Sequence, residues 1–164
     1  MLDFDPAAQS LPCGHFIDGA LLADPSRPIA VRRPCDGAVY AEIPTANQEM
    51  VDRAVCSARD AFRRTAWARQ APRDRARVLR RWADLIDGRR TELAQLEALG
   101  STRPIAQAAG WDVPYLAETI RFFAELADKH GGELAATAGD RLGFTLAEPY
   151  GVVAAIAPWN FPLV

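Results

Sequence analysis

The chain has 164 residues, 49% of them hydrophobic, and a formal net charge of −2. This length and composition are ordinary for a globular domain with its own core. Cys13, Cys35 and Cys56 are scattered and form no C-x-x-C pair, which excludes a disulfide framework and a structural zinc site. The first residues lack a signal-peptide pattern and the longest apolar run is too short to span a bilayer. We therefore expect a cytoplasmic protein with no membrane partner.

Two tight hairpins are predicted near the start of the chain. Asp18-Gly19 lies between two short apolar runs, and Asp36-Gly37 precedes a segment in which apolar and polar residues alternate. The Asp-Gly dipeptide tolerates the positive φ angles that tight hairpin turns require.

Helices are predicted from about residue 45 onward, because the apolar residues change to helical spacing. Asn47 is expected to cap the first helix and Pro72 to start the second, which Gly88 interrupts before a third helix runs on to Gly100. Asp112 is expected to cap a further helix that begins with Val113-Pro114. The predicted inward residues are Val51, Ala54, Val55, Ala58, Phe62, Val78, Leu79, Trp82, Leu85, Ile86, Leu116, Ile120, Phe123 and Leu126.

The last part of the chain is predicted to form a two-stranded ribbon and then a buried strand. The ribbon is expected to lie against another surface, for example a second subunit, because two strands alone are marginal in water. The run "GVVAAIA", from residue 151, is β-branched and uncharged, as expected for a strand covered on both faces in an α/β sheet. A doubly wound α/β domain normally continues from such a strand, so the chain reads as the opening of one.

Charge is concentrated between Arg53 and Arg90. This segment holds twelve arginines and four acidic residues, a net charge of +8, so the remainder carries −10. A nucleic-acid surface is one interpretation. The other, which we favour, is a set of amphipathic helices with solvated arginine faces, and we expect no nucleic-acid partner.

The stretch "APWNFP", residues 157–162, is the main candidate for chemistry. Two prolines hold Trp159 and Asn160 in a stiff corner at the expected carboxyl end of the strand, where ligands bind in open α/β sheets. A rigidly held asparagine amide is suited to an oxyanion hole. The alternative is a structural loop in which Trp159 plugs the core and Asn160 caps the next helix. No G-x-G-x-x-G motif is present, and neither His15 nor His130 has a partner at metal or catalytic spacing.

The segment "EPYGVVAAIAPWNFPLV" closely resembles the P-x-GVV-x-x-I-x-PWNFPL signature of the NAD(P)-dependent aldehyde dehydrogenase superfamily. Nearly the whole chain from about His15 resembles the N-terminal portion of that family. The other similar segments occur in the family's order: "FIDGALL", "RRPCDGAVYAEIPTA", "VDRAVCSARDAF", "RVLRRWADLID", "ELAQLEAL" and "IRFFAELADKHGGE".

The resemblance implies an α/β fold, the start of a Rossmann-like cofactor domain with N-terminal hairpins, helices and an oligomerisation ribbon. It assigns residues 1–131 to the NAD(P)-binding domain, 132–150 to the start of the ribbon and 151–164 to the first buried strand, with the catalytic domain absent. Asn160 corresponds to the asparagine that stabilises the oxyanion of the thiohemiacetal. Ile156, Ala157, Pro158 and Trp159 correspond to the segment that lines the dinucleotide cleft.

The implied reaction is the oxidation of an aldehyde to a carboxylic acid with NAD or NADP, in a homo-oligomer and without a metal ion. The family's nucleophilic cysteine has no match among the three cysteines, and Gly100 to Pro104 depart from a common T/S-G-K-P run. We therefore expect the isolated chain to be inactive. A truncated paralogue that acts as an interaction module with full-length subunits is the alternative.

Overall fold

The structure, a computed structural model, describes residues 4–9, 11–23 and 28–163. The first residues of the predicted 1–131 segment and Val164 of the predicted 151–164 segment lie outside these ranges. The strands are β1 (His15–Ile17), β2 (Ala20–Leu22), β3 (Pro28–Arg32), β4 (Val39–Pro44), β5 (Leu134–Ala135) and β6 (Gly143–Phe144). The α-helices are α1 (Gln48–Arg64), α2 (Pro72–Gly88), α3 (Arg90–Ser101), α4 (Ile105–Gln107) and α5 (Val113–Leu126). Shorter 3₁₀ turns span Pro6–Ala8 and Trp67–Arg69, and a π-helix spans Ala108–Asp112.

Both predicted hairpins form, the first with a tight turn and the second with a longer loop over residues 33–38. β1 and β2 pair antiparallel across Asp18 and Gly19, whose φ angles of 55° and 75° are both positive. β3 and β4 also pair antiparallel, and Gly37 has a φ of 72° in the loop between them. The Asp36 carboxylate holds this loop by accepting hydrogen bonds from the Arg33 guanidinium and from the backbone N–H of Ala38.

The helix starts follow the predicted signals in two cases. Asn47 caps α1, with its side-chain oxygen accepting a hydrogen bond of 2.8 Å from the backbone N–H of Met50. Pro72 is the first residue of α2, and Gly88 is its last. The third case, Asp112, is a correction. It has helical backbone angles, caps nothing and is fully buried, because the π-helix continues directly into α5.

The core lies where α2 packs against α5, with α3 and the π-helix closing one end. Small residues face each other there, since the buried cluster consists of Ala83, Ile86, Ala94, Ala108, Val113, Ala117 and Ile120. The Arg121 guanidinium ties α5 to α2 by donating hydrogen bonds to Asp84 and Asp87, both at 2.7 Å.

The predicted inward faces are partly wrong. On α2, Leu79 and Ile86 do pack inward, but Trp82 is half exposed and Ala83 takes its place. In α1 none of the described residues is buried. The alanine stripe of α2 fits α5 more closely than the bulky stripe beside it, because small side chains let the two helices approach. Predicted inward residues that are exposed include Val51, Val55, Val78, Leu85, Phe123 and Leu126.

The predicted ribbon forms, and it is short. β5 pairs antiparallel with β6 through Leu134 opposite Phe144 and Ala135 opposite Gly143. Leu134 and Phe144, which share one face of the ribbon, are exposed, and so is Ala135 on the other face, so the described residues cover neither face. The following Leu146 is exposed as well. Its role as an oligomerisation ribbon stays a prediction.

The predicted buried strand after residue 151 is not formed in this structure. Residues 153–158 have no regular secondary structure, and Val153 and Ile156 are 68% and 95% exposed. A strand is defined by hydrogen bonds to a neighbouring strand, and no described strand lies beside this segment. None of the described helices is long and apolar enough to cross a membrane.

Candidate functional site

The candidate site is the turn formed by Trp159 to Leu163. Trp159 is 84% exposed, and Asn160 is exposed and makes no hydrogen bond to any described residue. Phe161 and Leu163 are half-buried, and Leu163 packs against the core cluster between α2 and α5. The turn is thus fixed to the helices through its second half, while the side chain of Asn160 is available to a ligand.

Arg103 connects this turn to the helices. The Arg103 guanidinium carbon lies 4.9 Å from the centroid of the Phe161 ring, which is within the range of a cation–π contact. On its other side the guanidinium donates two hydrogen bonds to the Asp112 carboxylate, from Nε at 2.9 Å and from Nη2 at 2.7 Å. Such a bidentate pair fixes the plane of the guanidinium as well as its position.

The local backbone brings Arg103 to this position. α3 ends at Ser101, and Thr102 adopts the left-handed conformation with a φ of 58°, which turns the chain sharply. The Ser101 hydroxyl accepts a hydrogen bond from the backbone N–H of Arg103. Pro104 follows as the residue immediately before the short α4, a position where the missing N–H of proline breaks no helical hydrogen bond.

Two acidic side chains near Arg103 are buried, Asp112 and Glu97. Asp112 is fully buried, and Glu97 of α3 is 2% exposed with neither carboxylate oxygen hydrogen-bonded within the described residues. Burial raises the pKa of Glu97, and the charge of Asp112 raises it further, against the opposing effects of Ser101, Arg103 and the Leu163 backbone. Asp112 in turn raises the pKa of Arg103 above its usual value.

The residues predicted to line a dinucleotide cleft are all exposed: Ile156, Ala157, Pro158 and Trp159. An uncovered apolar segment fits the flat faces of a dinucleotide, since small-molecule sites are lined mainly by apolar and aromatic groups. The sequence contains no glycine-rich phosphate motif. The role of these residues as one wall of a dinucleotide cleft stays a prediction, and they contain no phosphate-binding motif.

Sequence reasoning missed Arg103, Asp112 and Glu97 as parts of this region. Asp112 precedes Val113-Pro114 and has the pattern of a helix cap, so its pairing with an arginine nine positions earlier is not visible locally. The one available signal was Arg103 itself, which stands beside Pro104 at a helix break.

The arginine-rich segment makes local ion pairs. Arg64 pairs with Asp60 and Arg77 with Asp74, one helical turn apart in each case, and most of these side chains are exposed. This arrangement supports the interpretation as solvated helix faces. Among the described residues there is no group of three histidine, cysteine, aspartate or glutamate side chains that could hold a metal ion.

Comparison with known proteins identifies the family. Residues 22–164 match the Aldehyde dehydrogenase family. The chain is 41% identical over 131 residues to the NADP/NAD-dependent aldehyde dehydrogenase PuuC of Escherichia coli, covering 80% of this chain and 26% of PuuC. It is 37% identical over 159 residues to the aminoacetaldehyde dehydrogenase of Pseudomonas aeruginosa, covering 96% of this chain and 32% of that protein.

Solved structures agree. The gamma-glutamyl-gamma-aminobutyraldehyde dehydrogenase of Burkholderia cenocepacia superposes with a TM-score of 0.88 at 40% identity, covering 96% of this chain and 32% of that one. An indole-3-acetaldehyde dehydrogenase in complex with NAD+ superposes with a TM-score of 0.88 at 39% identity, covering 96% of this chain and 32% of that one. The fold is thus the α/β fold of these enzymes, over part of their length. The chain belongs to the aldehyde dehydrogenase family, and it spans between a quarter and a third of the length of these relatives.

Proposed function

We propose that this chain is a portion of an NAD(P)-dependent aldehyde dehydrogenase that oxidises an aldehyde to a carboxylic acid. The family match over residues 22–164 supports the reaction class. PuuC is described as NADP/NAD-dependent and an indole-3-acetaldehyde dehydrogenase binds NAD+, which supports a nicotinamide cofactor. The substrate is a small-molecule aldehyde.

In this reaction a cysteine thiolate, supplied from outside these 164 residues, attacks the aldehyde carbon. The new carbon–sulfur bond moves the carbonyl electron pair onto oxygen and gives an oxyanion. Asn160 donates a side-chain N–H to that oxyanion, an interaction that strengthens as the charge develops and therefore accelerates the step. The nicotinamide, when bound, accepts the hydride that leaves the carbon. Water then hydrolyses the resulting thioester and releases the acid.

Ile156, Ala157, Pro158 and Trp159 contribute one wall of the cofactor cleft. Their exposed apolar surface is suited to packing against the dinucleotide and excluding water from it. Pro158 restricts the backbone immediately before Trp159, so the wall and the Asn160 donor belong to one stiff segment.

The observation that carries this proposal is the state of Asn160. Its amide is exposed, is unbonded within the described residues and follows a proline-restricted segment, as an oxyanion donor requires. The experiment uses the protein expressed from its natural gene and follows reduced nicotinamide formation with aldehydes of different size. Asn160→Ala is expected to lower kcat by about 100- to 1,000-fold. Unchanged turnover in Asn160→Ala would exclude the assigned role, and absence of any turnover in the parent protein would exclude the proposed reaction.

We also propose that the 132–150 ribbon contributes to a homo-oligomer. Both of its faces are uncovered among the described residues, and Leu134, Leu142 and Leu146 are each more than 70% exposed. Light scattering of the protein with serine at these three positions is expected to show a smaller assembly. An unchanged mass would contradict this assignment.

A second candidate is a truncated paralogue that binds full-length subunits without catalysing a reaction. The exposed apolar residues of α1 and of the ribbon favour it, since uncovered apolar patches mark interaction surfaces. The two candidates differ in the intact mass of the protein in its source cell. A mass near 17.9 kDa, together with co-purification of a longer dehydrogenase, supports the module. A much larger mass supports the enzyme.

A further inference from the structure

We propose that Arg103 is a positioning residue for Asn160: the guanidinium, fixed by Asp112, holds the Phe161 ring and thereby the direction of the neighbouring Asn160 amide. This inference rests on the proposed role of Asn160. It adds a residue of the α3–α4 break, far from Asn160 in sequence, to the machinery that orients the oxyanion donor.

The first step of the argument is that Arg103 itself is immobilised. Its two hydrogen bonds end on a carboxylate that is fully buried in the π-helix, so the acceptor cannot follow the guanidinium toward solvent. The side chain of Arg103 is 24% exposed. Compared with a surface arginine, it therefore has few alternative conformations that keep Asp112 paired.

The second step is the charge around the guanidinium. Glu97 and Asp112 are both buried here, and both favour the charged form of Arg103. Moving the guanidinium away would leave buried carboxyl groups without their positive neighbour, which is costly in a low-dielectric interior. The electrostatics thus hold the cation at one place.

The third step links this fixed cation to the turn. The Phe161 ring lies against the guanidinium at 4.9 Å, and Phe161 directly follows Asn160. Two residues later Leu163 packs on the core, so the turn has two attachments after Asn160 and a proline restriction before it. The amide of Asn160 has no hydrogen bond of its own to a described residue, so its direction depends on these attachments.

The consequence for catalysis is geometric. An oxyanion donor acts only when its N–H points at the oxygen, and a displacement of about 1 Å in an active site can cost on the order of 100-fold in rate. Loss of the Arg103 contact would loosen Phe161 and misalign Asn160 without removing it. The effect should therefore fall on kcat more than on the KM for aldehyde or cofactor.

The test uses the protein expressed from its natural gene. Arg103→Met is expected to lower kcat per active site by about 10- to 100-fold, with KM values within about threefold, and Arg103→Lys is expected to recover part of the loss. The control is Arg121→Met, which removes another carboxylate-paired arginine of similar exposure from α5. It is expected to change kcat by less than about twofold, because the carboxylate partners of Arg121 among the described residues are Asp84, Asp87 and Glu118 and none of them belongs to the turn.

Two further measurements separate positioning from folding. Phe161→Leu keeps the Arg103–Asp112 pair and removes only the aromatic face, and it is expected to lower kcat in the same way. In an Asn160→Ala background, Arg103→Met should then cost less than about twofold, because residues that act through one another are not additive. A full multiplicative loss in that background, or wild-type kcat in Phe161→Leu, would overturn the proposal.

The positioning role is also measured without turnover. NMR order parameters of the backbone amides of Phe161 and Leu163 are expected to fall in Arg103→Met, from the rigid range of about 0.85 toward about 0.6, and to stay unchanged in Arg121→Met. If the parent protein oxidises no aldehyde, the proposed function fails and this comparison of order parameters still decides the positioning. Equal order parameters in Arg103→Met and the parent would exclude it.

Discussion

The carboxyl groups of Glu97 and Asp112 are both buried, and within the described residues only that of Asp112 is hydrogen-bonded to a guanidinium. Burial and the charge of Asp112 both oppose ionisation of Glu97. The buried Glu97 carboxyl group thus favours its protonated form, in the part of the fold that supports the Trp159–Leu163 turn.

The first prediction concerns pH. The pKa of Glu97 is raised in the folded protein above its ordinary value of 4.5, so the fold favours the protonated group. This contribution to stability is fully present below the unfolded-state pKa and is lost as the pH rises through the folded-state pKa. Glu97→Gln is uncharged at every pH and should be more stable than the parent at pH 7 by on the order of 1 kcal/mol.

The measurement is urea unfolding of the parent and of Glu97→Gln between about pH 4 and pH 8, since this range covers the titration of a raised carboxyl group. The stability advantage of the variant should shrink as the pH falls. The control is Glu133→Gln, which makes the same chemical change at an exposed position. An advantage of Glu97→Gln that grows on acidification would contradict the prediction.

The second prediction compares two arginine-paired aspartates. Asp112→Ala removes the partner of a part-buried guanidinium and leaves a hole in the core, and it should lower the free energy of unfolding by about 3 kcal/mol. Asp128→Ala breaks the pair with Arg73, whose side chain is 84% exposed, and should cost less than about 1 kcal/mol. The two losses are measured by denaturant unfolding. Equal losses would show that the buried Arg103–Asp112 pair stabilises the fold no more than the exposed Arg73–Asp128 pair.

The third prediction uses two glycines that both have open space around the position of an added Cβ. Gly37 has a φ of 72°, so Gly37→Ala should destabilise the β3–β4 hairpin by about 1 kcal/mol. Gly88 is the last residue of α2 and has no positive φ, so Gly88→Ala should stabilise the protein by roughly 0.5 kcal/mol. Thermal unfolding midpoints that shift in the same direction would contradict this distinction.

The fourth prediction tests the start of α1. Asn47→Ala removes the side-chain acceptor for the Met50 backbone N–H and should cost about 1 kcal/mol, whereas Asn47→Asp keeps an acceptor and should cost little. Amide exchange at Met50 reports on this cap directly. The cap role would be excluded if the alanine and aspartate variants exchanged at the same rate there.

The elements that the sequence predicts correctly are those set by local backbone chemistry. The Asp18-Gly19 turn and the Asn47 cap each depend on a few neighbouring residues, whose preferences survive in the folded chain. The orientation of α2 cannot be predicted in this way. Trp82 and Ala83 are adjacent, and each belongs to a row of apolar residues with helical spacing that could face the core. Only the presence of α5 decides that the alanine stripe faces inward.

In the candidate site, too, the features set by neighbouring residues can be predicted from the sequence, and those set by distant contacts cannot. Proline restriction on both sides of Trp159-Asn160 is visible in the sequence, and the catalytic role of Asn160 stays a prediction. The Arg103–Asp112 pair is not visible, because it depends on a left-handed Thr102 and a π-helix that place two distant side chains together. The strand predicted after residue 151 depended on pairing with neighbours that no described strand provides.

The alanine contacts between α2 and α5 constrain substitution in two directions. Ala83 and Ala117 are completely buried, so a longer side chain at either position would force the helices apart, at about 1–3 kcal/mol. Shortening to glycine would cost about 1 kcal/mol in helix propensity instead. Trp82, one residue along, has half its surface in solvent and no such limit from its neighbours within the described residues. A saturation mutagenesis library over α2, screened for folded protein, should therefore show that adjacent positions differ sharply in how many substitutions they accept. The buried alanines should be the hardest residues to replace.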